Sequence, residues 1–391
     1  MKPVFLSYSR KNVEDVQEIA NILCAGGIKI WQDVESLSIG NTENQIRKAI
    51  NEECAAFFFY VTEESVNSEF IRDIEIREAF RKSRNDENFQ IVPLIHMPLD
   101  RANEKLKGTI RGDISRYNGA IMKEGDALLD AARKIRKILL KATIKPPADH
   151  QDYSVSLMTY SRTPGNIYPR LDLDWSRLNF PDKLISNSTW NAYLLPALLD
   201  VKDALLYAGI TNIRLFTKAN LATGLAFGYV FRRETGFKLD IQQAEQLWTT
   251  RTTPHQPSGF RLRSESRGIG SMHLGVNLSI ATSVDKNMGS YMAGNDLSFR
   301  AELHCEPVKG PSRLSVPDGD TAAAVAWEVG NNIRELRGKY SISDIHIFAA
   351  MPLGLAYLIG SELNACGNVH LYEFDRSESK YYPSWVLEGS Y

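Results

Sequence analysis

The sequence predicts an α/β protein whose N-terminal part is a doubly wound parallel sheet and whose C-terminal part is a second α/β domain. Short apolar runs alternate with amphipathic helix patterns over residues 1–142, as in a parallel sheet covered by helices on both faces. A segment with two adjacent prolines follows, and after it one strand–turn–helix pattern occurs twice.

Composition and charge place the chain among ordinary globular proteins. Its 391 residues are enough for two or three domains, each with its own core. Hydrophobic residues at 43% and charged residues at 24% are usual for such proteins. The formal net charge of −1 gives no overall positive field, which argues against binding of long DNA or RNA but leaves local basic pockets open.

Cysteine spacing and the lengths of apolar runs indicate the compartment. The cysteines are far apart and form no CxxC pair, which indicates reduced thiols instead of a disulfide framework or a zinc site. The opening apolar run is too short for a signal peptide. The longest one, residues 347–360, contains Pro352 and falls short of the ~20 residues of a membrane span. We therefore expect a cytoplasmic protein that does not contact membranes.

Each element of the first domain has its own signal. Residues 4–8 form an apolar run that predicts a buried strand, and apolar residues then recur at helical spacing until Gly26 and Gly27 end the helix. The uninterrupted apolar run 55–61 predicts the central strand of the sheet. The other predicted strands are 29–32 and 91–95, and the other predicted helices are one around residues 46–50, one over 68–81 and one over 126–140.

The segment 145–150 predicts a linker, because Pro146 and Pro147 exclude helix and the flanking residues are polar. We therefore divide the chain into a first domain, 1–142, a linker, 143–151, and a second domain, 152–391. The second domain contains longer helices and strand-like runs at 274–280 and 297–303.

The second domain contains an internal repeat. One unit begins at Ile213-Arg214-Leu215-Phe216 and the other at Ile345-His346-Ile347-Phe348. Without a gap, the following pairs align: Leu221 with Leu353, Ala226 with Leu358, Phe227 with Ile359, and Gly228 with Gly360. This register predicts two similar halves packed about a pseudo-twofold axis. The alternative is that two buried α/β units look alike because both are apolar.

Two glutamates of the predicted helix 68–81 are candidates for a function. Glu75 lies between Ile71 and Ala79 on an apolar stripe, so its carboxylate is expected to be partly buried beside the carboxyl edge of the sheet. Glu78 precedes Lys82 by four residues, the favourable order for a solvated ion pair worth about 0.3–0.5 kcal/mol. We therefore predict that Glu75 is the functional residue and Glu78 a surface residue, although most helical glutamates simply reach solvent.

Polar residues follow the first strand at the edge where parallel sheets bind ligands. Tyr8, Ser9 and Arg10 are expected to face this crevice, with Arg10 suited to a diphosphate. A solvated helix start explains Arg10 equally well. For Trp31, a place in the core is favoured over a place in the cleft.

In both units of the repeat a helix begins directly after a strand. Helix N-termini present free N–H groups and a partial positive charge, so two of them related by a pseudo-twofold axis predict a shared phosphate cradle. The residues concerned are Thr217-Lys218-Ala219-Asn220 and Ala349-Ala350-Met351-Pro352, with further loops at Ala281-Thr282-Ser283-Val284 and Tyr372-Glu373-Phe374-Asp375. A purely structural role is the commoner explanation for any single turn of this kind.

The segments Val4 to Arg10 and Lys29 to Asp33, with Glu75 and Ala79, resemble a Toll/interleukin-1 receptor (TIR) domain. The resemblance implies a flavodoxin-like fold in which Glu75 is the catalytic carboxylate of an NAD+-cleaving enzyme. The sequence departs from the family in having Phe70 for the usual Trp and one extra residue before the glutamate. The residues that match the NAD+ cleft are Tyr8, Ser9, Arg10 and Asp33, with Gly40 as the glycine of the flexible loop.

The segments His346 to Pro352 and Val369 to Glu373 resemble the closing half of a SAVED domain, and 214–228 resembles its first half. The resemblance implies two fused CARF-like, Rossmann-type units that bind a cyclic oligonucleotide. A cyclic trinucleotide such as cyclic tri-AMP is the expected activator. The candidate ligand-binding residues are Lys218, Asn220, Thr282, Ser283, Met351, Pro352, Leu353 and Tyr372.

Together the two resemblances imply a TIR-SAVED effector of a bacterial cyclic-oligonucleotide antiphage system. We expect an NAD+ nucleosidase that releases nicotinamide and ADP-ribose, with NAD+ as substrate and neither a resident cofactor nor a metal. The ligand is expected to drive head-to-tail assembly into oligomers or filaments. A TIR scaffold that assembles without catalysis is the alternative. A nuclease is the third possibility, but residues 1–142 contain no carboxylate–lysine pattern of that kind.

Overall fold

The computed structural model describes residues 1–31, 42–148, 151–161, 168–178, 186–254, 256–267 and 271–389. Two compact units share the chain. Unit 1 comprises Met1–His150, Arg170–Asn179 and Asp203–Ile210, and unit 2 comprises Gln151–Pro169, Phe180–Lys202 and Thr211–Tyr391. The boundaries 1–142, 143–151 and 152–391 remain a prediction. Within the described ranges, no helix has the length and apolar character that crossing a bilayer requires.

The strands are short, and each corresponds to an apolar or alternating run. In chain order they are β1 (Val4–Ser7), β2 (Ile30–Trp31), β3 (Ala56–Val61), β4 (Gln90–Ile95), β5 (Ala120–Ile121), β6 (Tyr153–Met158), β7 (Leu171–Asp174), β8 (Asn212–Lys218), β9 (Lys238–Gln243), β10 (Gln246–Thr249), β11 (Phe260–Ser266), β12 (His273–Ser279), β13 (Ala301–Pro307), β14 (Asp344–Ala350), β15 (Asn368–Asp375) and β16 (Lys380–Leu387). The strand predicted over 297–303 begins at Ala301 instead.

The α-helices alternate with the strands. They are α1 (Val13–Ala25), α2 (Thr42–Lys48), α3 (Glu63–Asn67), α4 (Arg77–Asn85), α5 (Leu99–Leu106), α6 (Leu128–Thr143), α7 (Asn187–Thr189), α8 (Leu195–Tyr207), α9 (Leu221–Val230), α10 (Asp285–Gly294), α11 (Gly319–Tyr340) and α12 (Leu353–Glu362). Turns of π-helix, which contain one residue more than an α-helical turn, occur at Ala49–Glu53, Ile71–Ile76 and Trp190–Leu194. The helix predicted over 68–81 is therefore interrupted by a π-helical segment before α4.

In the first unit, β1 to β5 form a parallel sheet with the order β2-β1-β3-β4-β5. This is the order of flavodoxin-like folds, so the predicted fold class is confirmed. The core holds a stack of aromatic rings in which Phe5 lies 4.8 Å from Trp31 and 5.5 Å from Phe57, centroid to centroid. Trp31 is 9% exposed, which confirms its predicted place in the core.

The second unit contains a sheet with the order β10-β9-β8-β6 and a six-stranded sheet with the order β11-β13-β12-β14-β15-β16. The repeat is visible in the element bounds. β8 begins at Asn212 and β14 at Asp344. The same number of residues that separates these two positions also separates the first residue of α9 from that of α12, and the last residue of α9 from that of α12. The two strand–turn–helix units are therefore true structural equivalents, as the gapless alignment predicts.

The two repeat helices cross at a pair of equivalent glycines. A Cβ atom on Gly228 would lie 2.2 Å from the backbone O of Tyr357, and a Cβ on Gly360 would lie 2.2 Å from the backbone O of Leu225. Tyr357 and Leu225 are themselves equivalent positions of the repeat. The approach of Gly228 to α12 is therefore the same contact as the approach of Gly360 to α9. A twofold axis requires this reciprocity.

We predict that Gly228→Ala and Gly360→Ala each destabilise the second unit by about 1–3 kcal/mol, because the added methyl group forces two helix backbones apart. Gly338→Ala in α11 is the matched control, since a Cβ there meets no atom within 4 Å and alanine is the better helix former. Thermal unfolding midpoints measure the difference. Equal midpoints for Gly228→Ala and Gly338→Ala would contradict the close helix crossing.

Candidate functional site

The first candidate site is the crevice at the carboxyl ends of β1 and β3. In a sheet of this order, the connections from these neighbouring strands leave towards opposite faces, so a ligand crevice opens between them. β1 ends at Ser7, which is completely buried, and β3 is followed by Thr62, which caps α3. The two strand ends therefore bring hydroxyl groups to this edge.

Glu75 reaches this edge from the π-helical segment Ile71–Ile76. It is 6% exposed, and the Ser7 hydroxyl donates a 2.6 Å hydrogen bond to its Oε2. A hydroxyl-to-oxygen distance of this length is typical of a bond to a carboxylate. The structure thus places Glu75, the predicted functional residue, beside the end of β1, although its catalytic role remains a prediction.

The resemblance to TIR domains implies one extra residue between Phe70 and Glu75, and a π-helical segment, Ile71–Ile76, begins directly after Phe70. One residue inserted into an α-helix rotates everything after it by about 100°. A π-helical turn absorbs such an insertion, so the residues after it keep their faces. Glu75 therefore faces the sheet, whereas Phe70 is 39% exposed.

Glu78 differs from its prediction. It is buried, and its carboxylate accepts hydrogen bonds from Arg47 at 3.0 Å, from Arg81 at 2.5 Å and from the side-chain amide of Asn51. The Arg81 bond, helped by Asn51, holds the pKa of Glu78 below its usual value. The predicted solvated pair with Lys82 is wrong.

Lys82 is directed elsewhere because the backbone offers it acceptors. Its Nζ donates to the carbonyl oxygens of Ile50 at 2.9 Å and Cys54 at 3.1 Å, and it lies 4.1 Å from the centroid of the Phe89 ring. The two glutamates therefore differ in these partners. Guanidinium groups donate to Glu78, and the buried Ser7 hydroxyl donates to Glu75.

Tyr8, Ser9 and Arg10 follow β1 directly. Tyr8 and Ser9 are partly buried, and Arg10 is exposed. The Ser9 hydroxyl caps the short 3₁₀ turn Arg10–Asn12 by accepting a 3.4 Å bond from the backbone N–H of Lys11. Asp33 and Gly40 lie outside the described residues. Contacts of these five residues with NAD+ remain predictions.

Ser7 is a site residue that the sequence analysis missed. The available signal was its position, because Ser7 is the last residue of β1, directly before the predicted Tyr8–Arg10 group. A polar cluster elsewhere in the first unit was missed as well: the Tyr60 hydroxyl donates to Asp15 Oδ2 at 2.8 Å and lies 2.6 Å from His96 Nδ1. Burial raises the pKa of Tyr60, so this hydroxyl keeps its proton.

The second candidate site is a cavity of about 1180 Å³ in the second unit. It lies at the ends of β8, β14 and β15 and at the N-termini of α9 and α12. The predicted residues that line it are Asn220, Thr282, Met351, Leu353 and Tyr372. The cavity thus joins both repeat units, as the predicted cradle requires.

Three predicted residues do not line this cavity. The Lys218 Nζ donates to the carbonyl oxygen of Ser161 at 2.9 Å, and the Ser283 hydroxyl donates to Asp285 Oδ2 at 2.6 Å. Pro352 occupies the N-cap position of α12. Ligand binding by the eight predicted residues remains a prediction.

The cavity also contains residues that the sequence analysis did not select. Aromatic rings and charged groups predominate among them, and they come from parts of the chain far apart in sequence. They are Tyr160, Trp190, Arg313, Arg376 and Tyr382, and Glu373 of the predicted loop Tyr372-Glu373-Phe374-Asp375 lines the cavity with them. On its floor, the Tyr372 and Phe348 rings stack with centroids 4.4 Å apart. Cationic and aromatic groups together suit a ligand that carries phosphates and bases.

The described part of the chain contains no group of three or more His, Cys, Asp or Glu side chains that could hold a metal ion. The His273, His346 and His370 rings do lie together, with His346 Nε2 2.9 Å from His273 Nδ1, but burial lowers the pKa of His346 to about 3 and Tyr372 binds its other nitrogen.

Two family profiles match the chain. Residues 4–124 match the TIR domain, and residues 200–387 match SAVED, the "SMODS-associated and fused to various effectors sensor domain". The first match covers the sheet that carries Ser7 and Glu75. The second covers both repeat units.

Curated relatives resemble part of the chain. CD-NTase-associated protein 4 of Enterobacter hormaechei subsp. hoffmannii is 23% identical over 183 residues, which are 45% of this chain and 36% of that protein. The protein of the same name from an Acinetobacter species is 23% identical over 223 residues, 56% of this chain and 46% of that protein. The matched stretches span less than half the length of these relatives.

Solved structures show the same fold. The Acinetobacter baumannii Cap4 SAVED/CARF-domain containing receptor with the cyclic trinucleotide 3′3′3′-cAAA superposes with a TM-score of 0.52 at 16% identity, over 90% of this chain and 86% of that one. The same receptor with 2′3′3′-cAAA also gives 0.52, at 17% identity and the same coverage.

The ion pairs of Glu78 generate a prediction about stability and pH. Because the native pKa of Glu78 is lowered, its stabilising effect is complete above the unfolded value, 4.5, and is lost as the pH falls through the native value. We expect Glu78→Gln to lower the unfolding midpoint clearly at pH 7 and progressively less below pH 4.5. Thermal unfolding of both proteins across this range measures the difference. A difference that does not change with pH would contradict the ion-pair assignment.

Proposed function

We propose that this chain, which joins an N-terminal TIR domain to a C-terminal SAVED domain, is an NAD+ glycohydrolase that a cyclic oligonucleotide switches on. The observation that carries the proposal is the buried Glu75 carboxylate, held by Ser7 at the crevice between β1 and β3. A domain that only recruits partners has no need of a carboxylate at this position.

The reaction breaks the bond between the nicotinamide nitrogen and C1′ of the ribose. The electron pair of that bond stays with nicotinamide, which leaves as a neutral molecule and needs no acid. The ribose becomes an oxocarbenium-like cation, which a neighbouring carboxylate stabilises through its charge and through hydrogen bonds to the ribose hydroxyls. Water then adds to C1′ and releases one proton, so NAD+ and water give nicotinamide, ADP-ribose and H⁺.

Ser7 acts on Glu75 and not on NAD+ in this mechanism. Its hydroxyl occupies one lone-pair position of Oε2 and so fixes the orientation of the carboxylate. A buried, oriented charge stabilises a developing cation better than a solvated one, because no solvent reorganisation is needed at the moment of reaction.

The cavity of the second unit is the proposed sensor. The N-termini of α9 and α12 supply N–H groups and partial positive charge for phosphates, and Arg313 and Arg376 add full charges. Aromatic rings in the same cavity supply faces for bases. The structural relatives solved with cyclic trinucleotides make 3′3′3′-cAAA the first ligand to test.

Ligand binding is proposed to act through assembly in the bacterial cytoplasm, as part of antiphage defence. A ligand shifts an equilibrium only by its preference for one state, so the cyclic oligonucleotide must bind the assembled form more tightly. Head-to-tail contacts use two different surfaces and extend into filaments when they do not close. A neighbouring copy then completes each TIR site.

The first test is nicotinamide release from NAD+ with and without 3′3′3′-cAAA. We expect release only with the ligand, a loss of at least about a hundredfold in Glu75→Gln, and retained activity in the folded fraction of Glu78→Gln. Glu78→Gln is the matched control, because it makes the same change one turn away. Equal activity in Glu75→Gln refutes the catalytic residue, and no release with any cyclic di-, tri- or tetranucleotide favours the scaffold.

The second test is particle size, measured by light scattering during a titration with 3′3′3′-cAAA. We expect size to increase with ligand occupancy and NAD+ consumption to follow it, because the active site depends on a neighbouring copy. Activity that appears while the protein stays monomeric would contradict assembly as the switch.

A further inference from the structure

An acidic side chain lines the cavity that is proposed to bind a polyanion. Glu373 on β15 is partly exposed as a residue, but its Oε2 atom is buried and has no hydrogen-bond partner among the described residues. The backbone N–H of Ala222, in the first turn of α9, lowers the pKa of this carboxyl group, against the larger effect of burial. Leaving a buried carboxylate oxygen unpaired is costly, so its chemical state requires an explanation.

The internal repeat supplies a comparison within the molecule. Ala222 and Gly354 are the second residues of the equivalent helices α9 and α12. The backbone N–H of Gly354 donates a 2.8 Å hydrogen bond to Oε1 of Gln243. One half of the repeat thus uses a neutral amide where the other half uses a carboxyl group.

Strand register shows that Gln243 and Glu373 are equivalent residues. Lys238 of β9 pairs with Asn212 of β8, and Asn368 of β15 pairs with Asp344 of β14, the equivalent of Asn212. Gln243 follows Lys238 at the same spacing as Glu373 follows Asn368. The two side chains therefore leave equivalent strands at the same position, and each is associated with the first turn of the other unit's helix, Gln243 with α12 and Glu373 with α9.

The surroundings of Glu373 favour the uncharged acid. Burial raises the pKa of Glu373 to about 8, against the smaller opposing effect of the Ala222 N–H. Charged neighbours line the same cavity at Arg313, Asp375 and Arg376. The titratable groups on its other sides are Tyr160, Tyr381 of β16 and Tyr382, the cross-strand partner of Glu373.

We propose that Glu373 takes part in ligand binding as an un-ionised acid, whose carboxyl O–H donates a hydrogen bond to an acceptor atom of the cyclic oligonucleotide. This inference rests on the proposed sensor function of the cavity. The uncharged acid presents one donor beside the helix N-terminus, as the amide of Gln243 does in the other half. Loss of the proton replaces that donor with a negative charge facing the phosphodiesters, so ionisation weakens binding.

The test is the dissociation constant of 3′3′3′-cAAA, measured by titration calorimetry from pH 6.5 to 9.5. We expect wild-type affinity to be nearly constant up to pH 7 and about tenfold weaker at pH 9, since only the protonated fraction is competent. Glu373→Gln keeps the donor and removes the titration, so its affinity should match the wild type at pH 7 and stay constant at pH 9.

Asp375→Asn is the matched control in the same cavity. Hydrogen bonds from Ser377 hold the pKa of Asp375 below its usual value, so Asp375 is ionised throughout this range. Asp375→Asn should change the dissociation constant by the same factor at every pH, so the dependence of affinity on pH should remain that of the wild type. Thermal unfolding establishes that each variant is folded.

A second readout needs no variant. Calorimetry in two buffers of different ionisation enthalpy counts protons, and the wild type should take up roughly 0.8 proton per ligand at pH 8.5. Three results would each overturn the inference. They are a wild-type affinity that does not change with pH, a wild type that takes up no proton on binding, and a Glu373→Gln variant whose affinity falls with pH as the wild type's should. Absence of binding by the wild type at every pH would instead contradict the sensor function itself.

Discussion

The proposed catalytic site depends on one hydrogen bond, from the Ser7 hydroxyl to the Glu75 carboxylate. Two glutamates lie one turn apart, and their partners separate their roles. Glu78 is bound by Arg47 and Arg81, which neutralise its charge and tie the helix to its neighbours. Glu75 accepts a hydrogen bond from the neutral Ser7 hydroxyl at the crevice, and its proposed role is to stabilise a cation on the substrate.

The account of the sensor half depends on the pseudo-twofold axis. Gly228 and Gly360 let α9 and α12 approach until their backbones touch, and this approach brings two helix N-termini to one cavity. The two repeat units nevertheless differ in chemistry, because Glu373 of β15 occupies the position that Gln243 has on β9.

The sequence predicted the features that depend on local periodicity. The parallel sheet, the gapless repeat and the core position of Trp31 all follow from runs and spacings a few residues long. Prediction from the sequence failed where the fold brings distant segments of the chain together. Arg47 reaches Glu78 from another helix and displaces the expected Lys82 pair. Trp190 and Arg313 carry no local signal of a site, and Ser7 carries only its position at the end of β1, because only the fold brings these residues to the cavity or to Glu75.

The central claim is that the Glu75 carboxylate meets the ribose of NAD+ once a cyclic oligonucleotide has bound. The most direct measurement is a cryo-EM structure of the protein assembled with 3′3′3′-cAAA and a non-hydrolysable NAD+ analogue. The account predicts a Glu75 oxygen within hydrogen-bond distance of a ribose hydroxyl of the nicotinamide riboside. A Glu75 side chain turned away from the bound analogue would contradict it.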